Sequence, residues 1–358
     1  MAEFFTNNSF LINLIGINAI LALSIYMTLS CAMLSLSNAA SMAIGAYASG
    51  VLTLKAGWPF WPAAIVGAVV AGFVAFLLGL PILRLRGVFL AIATIGFGEV
   101  VRVAIVNTEA LGSSEGFRLN TGQVNIEIGF WHIFGTLVVL AFFFSRLKGS
   151  RMGLALEAIR EDESAARTMG INVTFYKVSA YVLGAFMAGL AGALYGHLRA
   201  YFSPGDFGFQ RAVDILVFAV VGGTFAWRGA IAGAFLMTVL SEVLRAIPPV
   251  GGIAVKEYPE IFTGLILLGV ILFLPNGLLS AALKLNIGRK TLQPVPEQIE
   301  ADPRLSELGD SSSTADIANE ALRGPGAAAA QEGTEAEGRD YGEEGVARTG
   351  AGPKEASK

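Results

Sequence analysis

The chain has 358 residues, of which 54% are hydrophobic and 15% are charged, and its mean hydropathy is +0.62. A soluble globular protein carries charges on about 25% of its residues, so this composition excludes an ordinary soluble protein. The formal net charge is −3. The single cysteine, Cys31, rules out a disulfide framework, and the two histidines do not make a metal site by count or spacing.

Long stretches without charge predict membrane-spanning helices. Residues 4–54 carry no charged side chain, and further uncharged runs cover 56–83, 128–145, 178–198 and 261–283. A helix crosses the hydrocarbon core with about 20 apolar residues, and a central charge costs a few kcal/mol. The fold class is therefore an all-α polytopic transmembrane helix bundle of about 8–10 spans. The predicted spans are 10–32, 38–54, 61–82, 88–106, 130–146, 178–197, 213–227, 229–247 and 259–276.

Two of these segments differ from an ordinary span. The first apolar run has no basic start and is too long for a signal peptide, so we expect a first span. The segment 213–227 is short for a span, which predicts a broken or re-entrant helix buried in protein.

Basic residues concentrate in the connections on one side of the predicted bundle. They follow the third, fifth and last spans, at Arg84, Arg86, Arg146, Lys148, Arg151, Arg160, Arg167, Lys177, Lys284, Arg289 and Lys290. Cytoplasmic loops carry the excess of lysine and arginine, so the N-terminus is expected outside and the C-terminus in the cytoplasm. The plasma (inner) membrane of a bacterium or archaeon is the expected location.

The chain divides into a predicted permease domain, 1–285, and a polar tail, 286–358. The tail holds 14 acidic and 8 basic residues, a net charge of −6, and is rich in Ala, Gly, Glu and Ser. Such a segment buries too little apolar area to offset the entropy of ordering it. We expect a disordered, acidic cytoplasmic tail.

A faint internal repeat relates two predicted spans. Arg86-Gly87 precedes a span that ends with Glu99 and Arg102, and Arg228-Gly229 precedes one that ends with Glu242 and Arg245. Transporters are often built from two such halves, although coincidence remains an alternative. Glu99 and Arg102 are three residues apart and share a helix face. Each charged pair either lines the translocation path or is an ion pair that fixes packing.

The loop 147–177 contains an amphipathic helix over residues 154–170. Its apolar positions 154, 158, 159, 165, 166 and 169 fall on one broad face. Gly170 suits a helix end that needs a left-handed residue. Such a helix on the inner side either docks on another protein or lies on the lipid headgroups.

Small residues fill the predicted second span at 39, 40, 41, 43, 45, 46 and 48. Small side chains let helix backbones approach closely in a membrane, where packing supplies the attraction. Ser37 and Asn38 start this segment. These two residues either line a pathway, cap a broken helix or pack against neighbouring helices like the small residues that follow them.

Two kinds of motif that the sequence lacks limit the functions that it can have. No Gly-x-x-x-x-Gly-Lys-[Ser/Thr] phosphate loop occurs, so the chain does not bind ATP in that manner and carries no cofactor of its own. No set of nucleophile, base and paired carboxylates suggests an enzyme, so no catalytic or metal-ligating residue is predicted.

The loop resembles the signature of ABC importer permeases, which is Glu-Ala-Ala followed by any three residues and then Gly. In this chain the matching residues are Ser164-Ala165-Ala166-Arg-Thr-Met-Gly170. Ala158-Ile-Arg-Glu-Asp-Glu163 and the run Gly45-Ala-Tyr-Ala are similar to the branched-chain amino acid permeases, the LivM-type branch. The resemblance covers about residues 14–285. It implies that the loop is the coupling helix received by an ATPase. The residues that it assigns to coupling are Glu157, Ala158, Arg160, Asp162, Glu163, Ala165, Ala166 and Gly170.

The resemblance also implies the partners. They are a second permease subunit, two cytoplasmic ATPase subunits that bind the ATP, and a periplasmic or lipid-anchored substrate-binding protein, with membrane lipids around the bundle and no nucleic acid. The connections 107–129, 198–212 and 248–258 face the binding protein under the predicted topology. Their charged residues, expected to include the contacts, are Glu109, Glu115, Arg118, Arg199, Asp206, Arg211, Lys256 and Glu257.

The expected cargo is branched-chain or other amino acids, moved by alternating access. Urea and short amides are carried by a sister branch with similar motifs and remain an alternative. An ion-coupled secondary transporter would require buried carboxylates, for which Glu99, Asp214 and Glu242 are the candidates. A channel or membrane scaffold without energy coupling would not need a docking helix in the loop 151–177.

Overall fold

The computed structural model describes residues 2–85, 87–119, 126–223, 226–246 and 264. Side chains are described for 9–85, 87–119, 129–223, 226–243 and 264. The predicted span 259–276 (apart from residue 264), the tail 286–358, Arg86, Lys256, Glu257 and the side chain of Arg245 therefore lie outside the described part of the chain.

Helices account for most of the described residues. The long helices are α1 Ala2–Leu29, α2 Asn38–Ala56, α3 Phe60–Ile82, α4 Val88–Val106, α5 Ile126–Lys148, α8 Val173–Arg199, α9 Phe209–Gly222 and α10 Trp227–Ala246. Two short helices, α6 Arg151–Glu161 and α7 Glu163–Thr168, connect α5 to α8. A two-stranded antiparallel ribbon joins β1 Phe117–Arg118 to β2 Tyr201–Phe202. The predicted helical bundle is confirmed.

Five described helices are long and apolar enough to cross a membrane. They are α1 from Ser9, α3, α4, α5 from Gly129, and α8. The pair α9–α10 adds a sixth if it counts as one span, since the two helices are bent by 118° at their junction. The broken helix predicted near 213–227 is thus confirmed. Of the other predicted spans, α2 is a helix but is not among the apolar candidates, because small and polar residues fill it.

The centre of the bundle is formed by α2, α3 and α8, which cross at glycines. A Cβ atom at Gly45 of α2 would overlap the carbonyl oxygen of Gly189 of α8, and one at Gly192 would overlap the carbonyl of Met42. A Cβ atom at Gly67 of α3 would lie only 2.7 Å from the carbonyl oxygen of Gly45. These contacts confirm that the small residues of the second span serve close backbone packing.

The bent pair packs against α1, and its two arms also meet at glycines. A side chain at Gly222 of α9 would overlap the backbone of Gly229 in α10, and one at Gly233 would overlap the carbonyl of Phe218. Gly223, with φ +103°, turns the chain between the arms. The two glycines of the proposed repeat differ in position, because Gly87 is the left-handed residue before α4 whereas Gly229 lies inside α10.

Candidate functional site

The predicted amphipathic helix at 154–170 is two helices, which corrects the expectation of one. The chain is extended at Asp162, with φ −152° and ψ +111°, between α6 and α7. The Asp162 carboxylate accepts hydrogen bonds from the backbone N–H groups of Ser164 (2.7 Å) and Ala165 (3.0 Å). Aspartate is a strong N-cap, so it starts a new helix here and interrupts the old one.

Gly170 ends α7 in the left-handed conformation that the sequence predicted, with φ +80°. The Ile171 N–H donates to the carbonyl of Ala166 (3.1 Å), and the Gly170 N–H donates to that of Arg167 (3.0 Å). This is the Schellman arrangement, which satisfies the last carbonyls of a helix. The segment Arg151–Gly170 thus has a defined shape on each side of Asp162; we call it the coupling segment.

Ion pairs fix the coupling segment to the next helix. The Glu163 carboxylate accepts from Lys177 of α8 at 2.7 Å and also pairs with Arg167 of its own helix. The Lys177 side chain is largely covered, which makes this contact less screened by water than an ordinary surface pair. This ion pair links α7 to the start of α8.

The residues assigned to coupling divide by exposure. Ala166 is buried, Ala158, Arg160 and Glu163 are half-buried, and Glu157, Asp162, Ala165 and Gly170 are exposed. Of the predicted apolar face, only Ile159 and Ala166 are buried. Leu154 is 59% exposed and Met169 is 84% exposed. Such side chains suit contact with another protein or with the lipid headgroups.

A cleft connects the coupling segment to the bent pair. Leu156, Glu157 and Arg160 of α6 line it together with Tyr26 at the end of α1 and Trp227 at the start of α10. Sequence reasoning did not foresee this contact, because it joins helices far apart in the chain. The coupling segment therefore packs against α8 and borders a cleft whose other walls include α1 and α10.

The predicted docking residues lie at the opposite end of α8. Since α8 has 27 residues, its ends are separated by about 40 Å. Arg199 ends α8 and lies 3.8 Å from Asp206, while Arg118 stacks over Tyr201 at 5.6 Å within the β1–β2 ribbon. The ribbon rests on Tyr47 of α2 through an aromatic cluster with Phe117, Phe202 and Phe207. The predicted connections 107–129 and 198–212 thus share one surface where they are described.

Arg211 is placed differently from the other docking candidates. It lies in the first turn of α9, and its guanidinium donates to the side-chain oxygen of Asn18 in α1 at 2.8 Å. The Asn18 amide in turn donates to Thr238 of α10 at 2.9 Å. Sequence reasoning missed Asn18, although an amide side chain inside an apolar span is itself a signal of interhelical hydrogen bonding.

The Glu99–Arg102 pair forms as the spacing predicted, with Nε to Oε2 at 2.8 Å. Both side chains are about 40% exposed, at 42% and 41%, and the face beside them carries exposed Val100 and Val103. Its counterpart in the repeat is described only in part, since Glu242 is exposed and the Arg245 side chain lies outside the described part of the chain.

Ser37 and Asn38 are buried at the α1–α2 connection. The Asn38 amide donates to Ser24 of α1 at 2.7 Å, and the hydroxyls of Ser35 and Ser37 are hydrogen-bonded at 2.9 Å. The Leu36 N–H donates to Thr94 of α4 at 3.0 Å. In this conformation both residues are buried, Asn38 joins α2 to α1, and the neighbouring Leu36 joins the connection to α4. The Asn38 side-chain oxygen has no partner among the described residues.

Cys31 lies just after α1 and is fully buried. Burial raises the pKa of its thiol to about 12, so the thiol stays protonated at neutral pH and is a poor nucleophile. We predict that N-ethylmaleimide leaves the native chain unlabelled at pH 7 and labels it after denaturation. Because only the unfolded thiol ionises near pH 9, alkaline solution above that pH favours unfolding. Labelling of the native protein would contradict the described burial.

Comparison with known proteins matches this architecture to a transport family. The family model described as "Branched-chain amino acid transport system / permease component" matches residues 7–271. The permease protein LivM of the Salmonella typhimurium high-affinity branched-chain amino acid transport system is 32% identical over 296 residues. That match covers 74% of this chain and 66% of LivM, so the chain spans just under two thirds of its relative.

Two other similarities are weaker. LivH of Salmonella typhimurium, a permease protein of the same kind of system, is 29% identical over 188 residues, covering 52% of this chain and 57% of LivH. The solved structure of PsaBC from Streptococcus pneumoniae in complex with Fab has a TM-score of 0.41 and 16% identity, and covers 80% of this chain and all of that one. A TM-score of this size supports no conclusion about this chain.

The family match covers most of the described helices, and the apolar helices make the chain a multi-pass membrane protein of the bacterial inner-membrane type. The family is one of transport permeases, not of enzymes. The chain belongs to the family of branched-chain amino acid transport system permease components.

Proposed function

We propose that the chain is one permease subunit of an ABC importer and that separate ATPase subunits drive it through the coupling segment. The observation that carries this proposal is the coupling segment itself. Its two capped helices present exposed Leu154 and Met169, and the Glu163–Lys177 ion pair ties it to α8. A secondary transporter or a channel would not need such a surface.

The proposed mechanism is alternating access. Closure of the ATPase dimer displaces α6 and α7, and three connections transmit the displacement. The first runs directly into α5, the second passes through Glu163 and Lys177 into α8, and the third crosses the cleft to Trp227 of α10. Helices packed at glycines move as rigid bodies, so the displacement reaches the far end of α8.

The proposed orientation places the coupling segment in the cytoplasm and the β1–β2 ribbon outside. The basic connections support it, because Lys148, Arg151 and Arg167 cluster at the coupling end. The substrate-binding protein then docks on the ribbon end, where Arg118, Arg199 and Asp206 lie. The N-terminus is outside and the C-terminal tail is cytoplasmic under this arrangement.

The second permease subunit is proposed to cover the exposed face of α4. Glu99 lies near the middle of this span, and a charged pair there is costly against lipid. Its partial exposure therefore indicates a water-filled path or a subunit contact. We assign Glu99 and Arg102 to the wall of the path between the two permease subunits.

This assignment predicts a specific mutational pattern. Glu99→Gln and Arg102→Gln each leave one unpaired charge, so each single change is expected to lower both the thermal stability and the uptake rate. The double change removes both charges and restores stability, yet uptake stays reduced severalfold because the path has lost its polar wall. Uptake rates and melting temperatures of the three variants check this. Full recovery of uptake in the double variant would show a purely structural pair.

Branched-chain amino acids are the proposed cargo. The family description and the printed names of LivM and LivH support it. Urea or short amides are the alternative cargo, which no observation on this chain favours. The identity of the cargo is determined by measuring which ligand of the cognate binding protein is transported.

The test of the proposed function is reconstitution. The full-length chain is purified under mild conditions, its co-purifying subunits are identified, and the complex is placed in proteoliposomes with its binding protein. We expect an ATPase to co-purify and labelled leucine to accumulate only when ATP is present on the coupling-segment side. Uptake without an ATPase, or driven by an ion gradient alone, would overturn the proposal.

A further inference from the structure

Arg211 is an incompletely compensated cation inside the bundle. Its one hydrogen bond within the described part of the chain goes to the Asn18 side-chain oxygen, a neutral acceptor, at 2.8 Å. No described carboxylate lies within ion-pairing distance of it. A guanidinium has five N–H donors, so most of them are unused. Within a membrane bundle, a cation with a neutral partner is costly and marks a functional site.

The position of this cation within the span is defined by α1. Asn18 is about 14 Å along the helix axis from Ser9, close to the middle of the span Ser9–Leu29. A guanidinium bonded to Asn18 is therefore well below the headgroups, which excludes a lipid phosphate as its anion. Cargo that crosses the bundle brings an anion to this depth.

The surroundings orient the guanidinium without neutralising it. Its carbon lies 5.8 Å from the centre of the Tyr195 ring, within the range of a cation–π contact. Asp206 accepts from Ser203 at 2.8 Å and Asp214 accepts from Gln210 at 3.5 Å, and both carboxylates attract the guanidinium from beyond ion-pairing distance. Arg211 is thus held in place while most of its N–H donors stay available.

The helix that carries Arg211 adds to the attraction. α9 begins at Phe209 with a glycine N-cap and no side-chain cap, so its first-turn N–H groups add positive potential. This end of α9 follows the connection after α8 and is separate from the break of the bent pair, which lies between Gly222 and Trp227.

We propose that Arg211, held by Asn18 and Tyr195, binds the carboxylate of the cargo as it crosses the bundle. This inference rests on the proposed function and names the group of an amino acid that the permease itself recognises. A carboxylate forms two parallel hydrogen bonds with a guanidinium and replaces the amide oxygen of Asn18. Cargo binding thus releases the Arg211–Asn18 link between α9 and α1, whereas the Asn18–Thr238 bond to α10 uses the amide nitrogen and is not displaced.

The decisive variant is Asn18→Asp, which places a permanent carboxylate against Arg211. A structural role for the contact predicts normal binding and transport, since the α1–α9 link becomes stronger. A cargo site predicts that the new carboxylate occupies the guanidinium. We expect leucine binding to weaken about tenfold or more while the melting temperature stays equal or rises. Arg211→Gln should weaken binding comparably, without the gain in stability.

The measurement uses the full-length chain with its co-purifying subunits in nanodiscs, without binding protein, and follows bound radiolabelled L-leucine. 4-Methylpentanoate, which keeps the carboxylate, should compete, whereas leucinol, which lacks it, should not. The exposed Arg84→Gln is the matched control and should bind as the wild type does. Competition by leucinol equal to that by 4-methylpentanoate would overturn the carboxylate assignment.

Failure of this inference and failure of the proposed function give different results. If the wild-type complex shows ATP-driven leucine uptake but Asn18→Asp and Arg211→Gln keep wild-type binding and KM, only the carboxylate site is overturned. If the wild-type complex itself shows no ATP-driven uptake, both are overturned. Raised KM in both variants, with ATPase activity retained, supports the site.

Discussion

Gly45→Leu is expected to prevent the bundle from assembling. A side chain at Gly45 meets the backbone of Gly189, and backbone cannot move aside as a flexible side chain does. Overpacking a well-filled core costs about 1–3 kcal/mol, and a clash between two helix backbones lies at or above the upper end of that range. Fluorescence-detected size exclusion after heating should show aggregated protein at temperatures that the wild type survives.

Gly135→Leu is the matched control for this prediction. Gly135 is an exposed glycine of α5, and no atom of the described chain lies within 4 Å of a Cβ placed there. Both changes put the same side chain in the middle of an apolar helix. A thermal midpoint for Gly45→Leu equal to that of Gly135→Leu would show that α2 and α8 do not pack as described.

Met169→Asp is expected to abolish ATP-driven uptake while leaving the amount of folded permease unchanged. Met169 is 84% exposed at the end of α7 and contributes nothing to the core. An aspartate there introduces a charge that an apolar pocket of the ATPase would have to desolvate, at a cost of several kcal/mol. Uptake should fall by at least an order of magnitude, since about 1.4 kcal/mol corresponds to a factor of ten.

Leu85→Asp serves as the control at the same end of the bundle. Leu85 is 41% exposed in the turn after α3 and lies outside the coupling segment. It receives the same charge on the same side of the membrane. Equal loss of uptake in both variants would point to a general effect of charge at the inner surface and would remove the special role of Met169.

Local rules predicted much of this architecture. The uncharged runs predicted α1, α3, α5 and α8 within a few residues, because exclusion of charge from lipid acts on each helix separately. Gly170 was predicted as a left-handed helix end, and Glu99 was predicted to face Arg102, since both depend only on helix geometry.

Contacts between distant segments were harder to predict. Arg211 was assigned to an outer loop because the sequence does not show that α9 begins at Phe209 and faces α1. The break at Asp162 was missed because a single amphipathic face continued across it, although an aspartate before a helical run is a recognised N-cap signal. The pairing of β1 with β2 depends on two strands of two residues each, which carry no periodicity.

The most direct test of the central claim uses Met169→Cys. Because the native thiol of Cys31 is buried, the introduced thiol is the only one that a membrane-impermeant maleimide should reach. We predict labelling in inside-out vesicles but not in intact cells, and protection from labelling when the ATPase subunits are bound. Labelling in intact cells, or labelling that is unaffected by the ATPase, would contradict the assignment of this segment as the site of energy coupling.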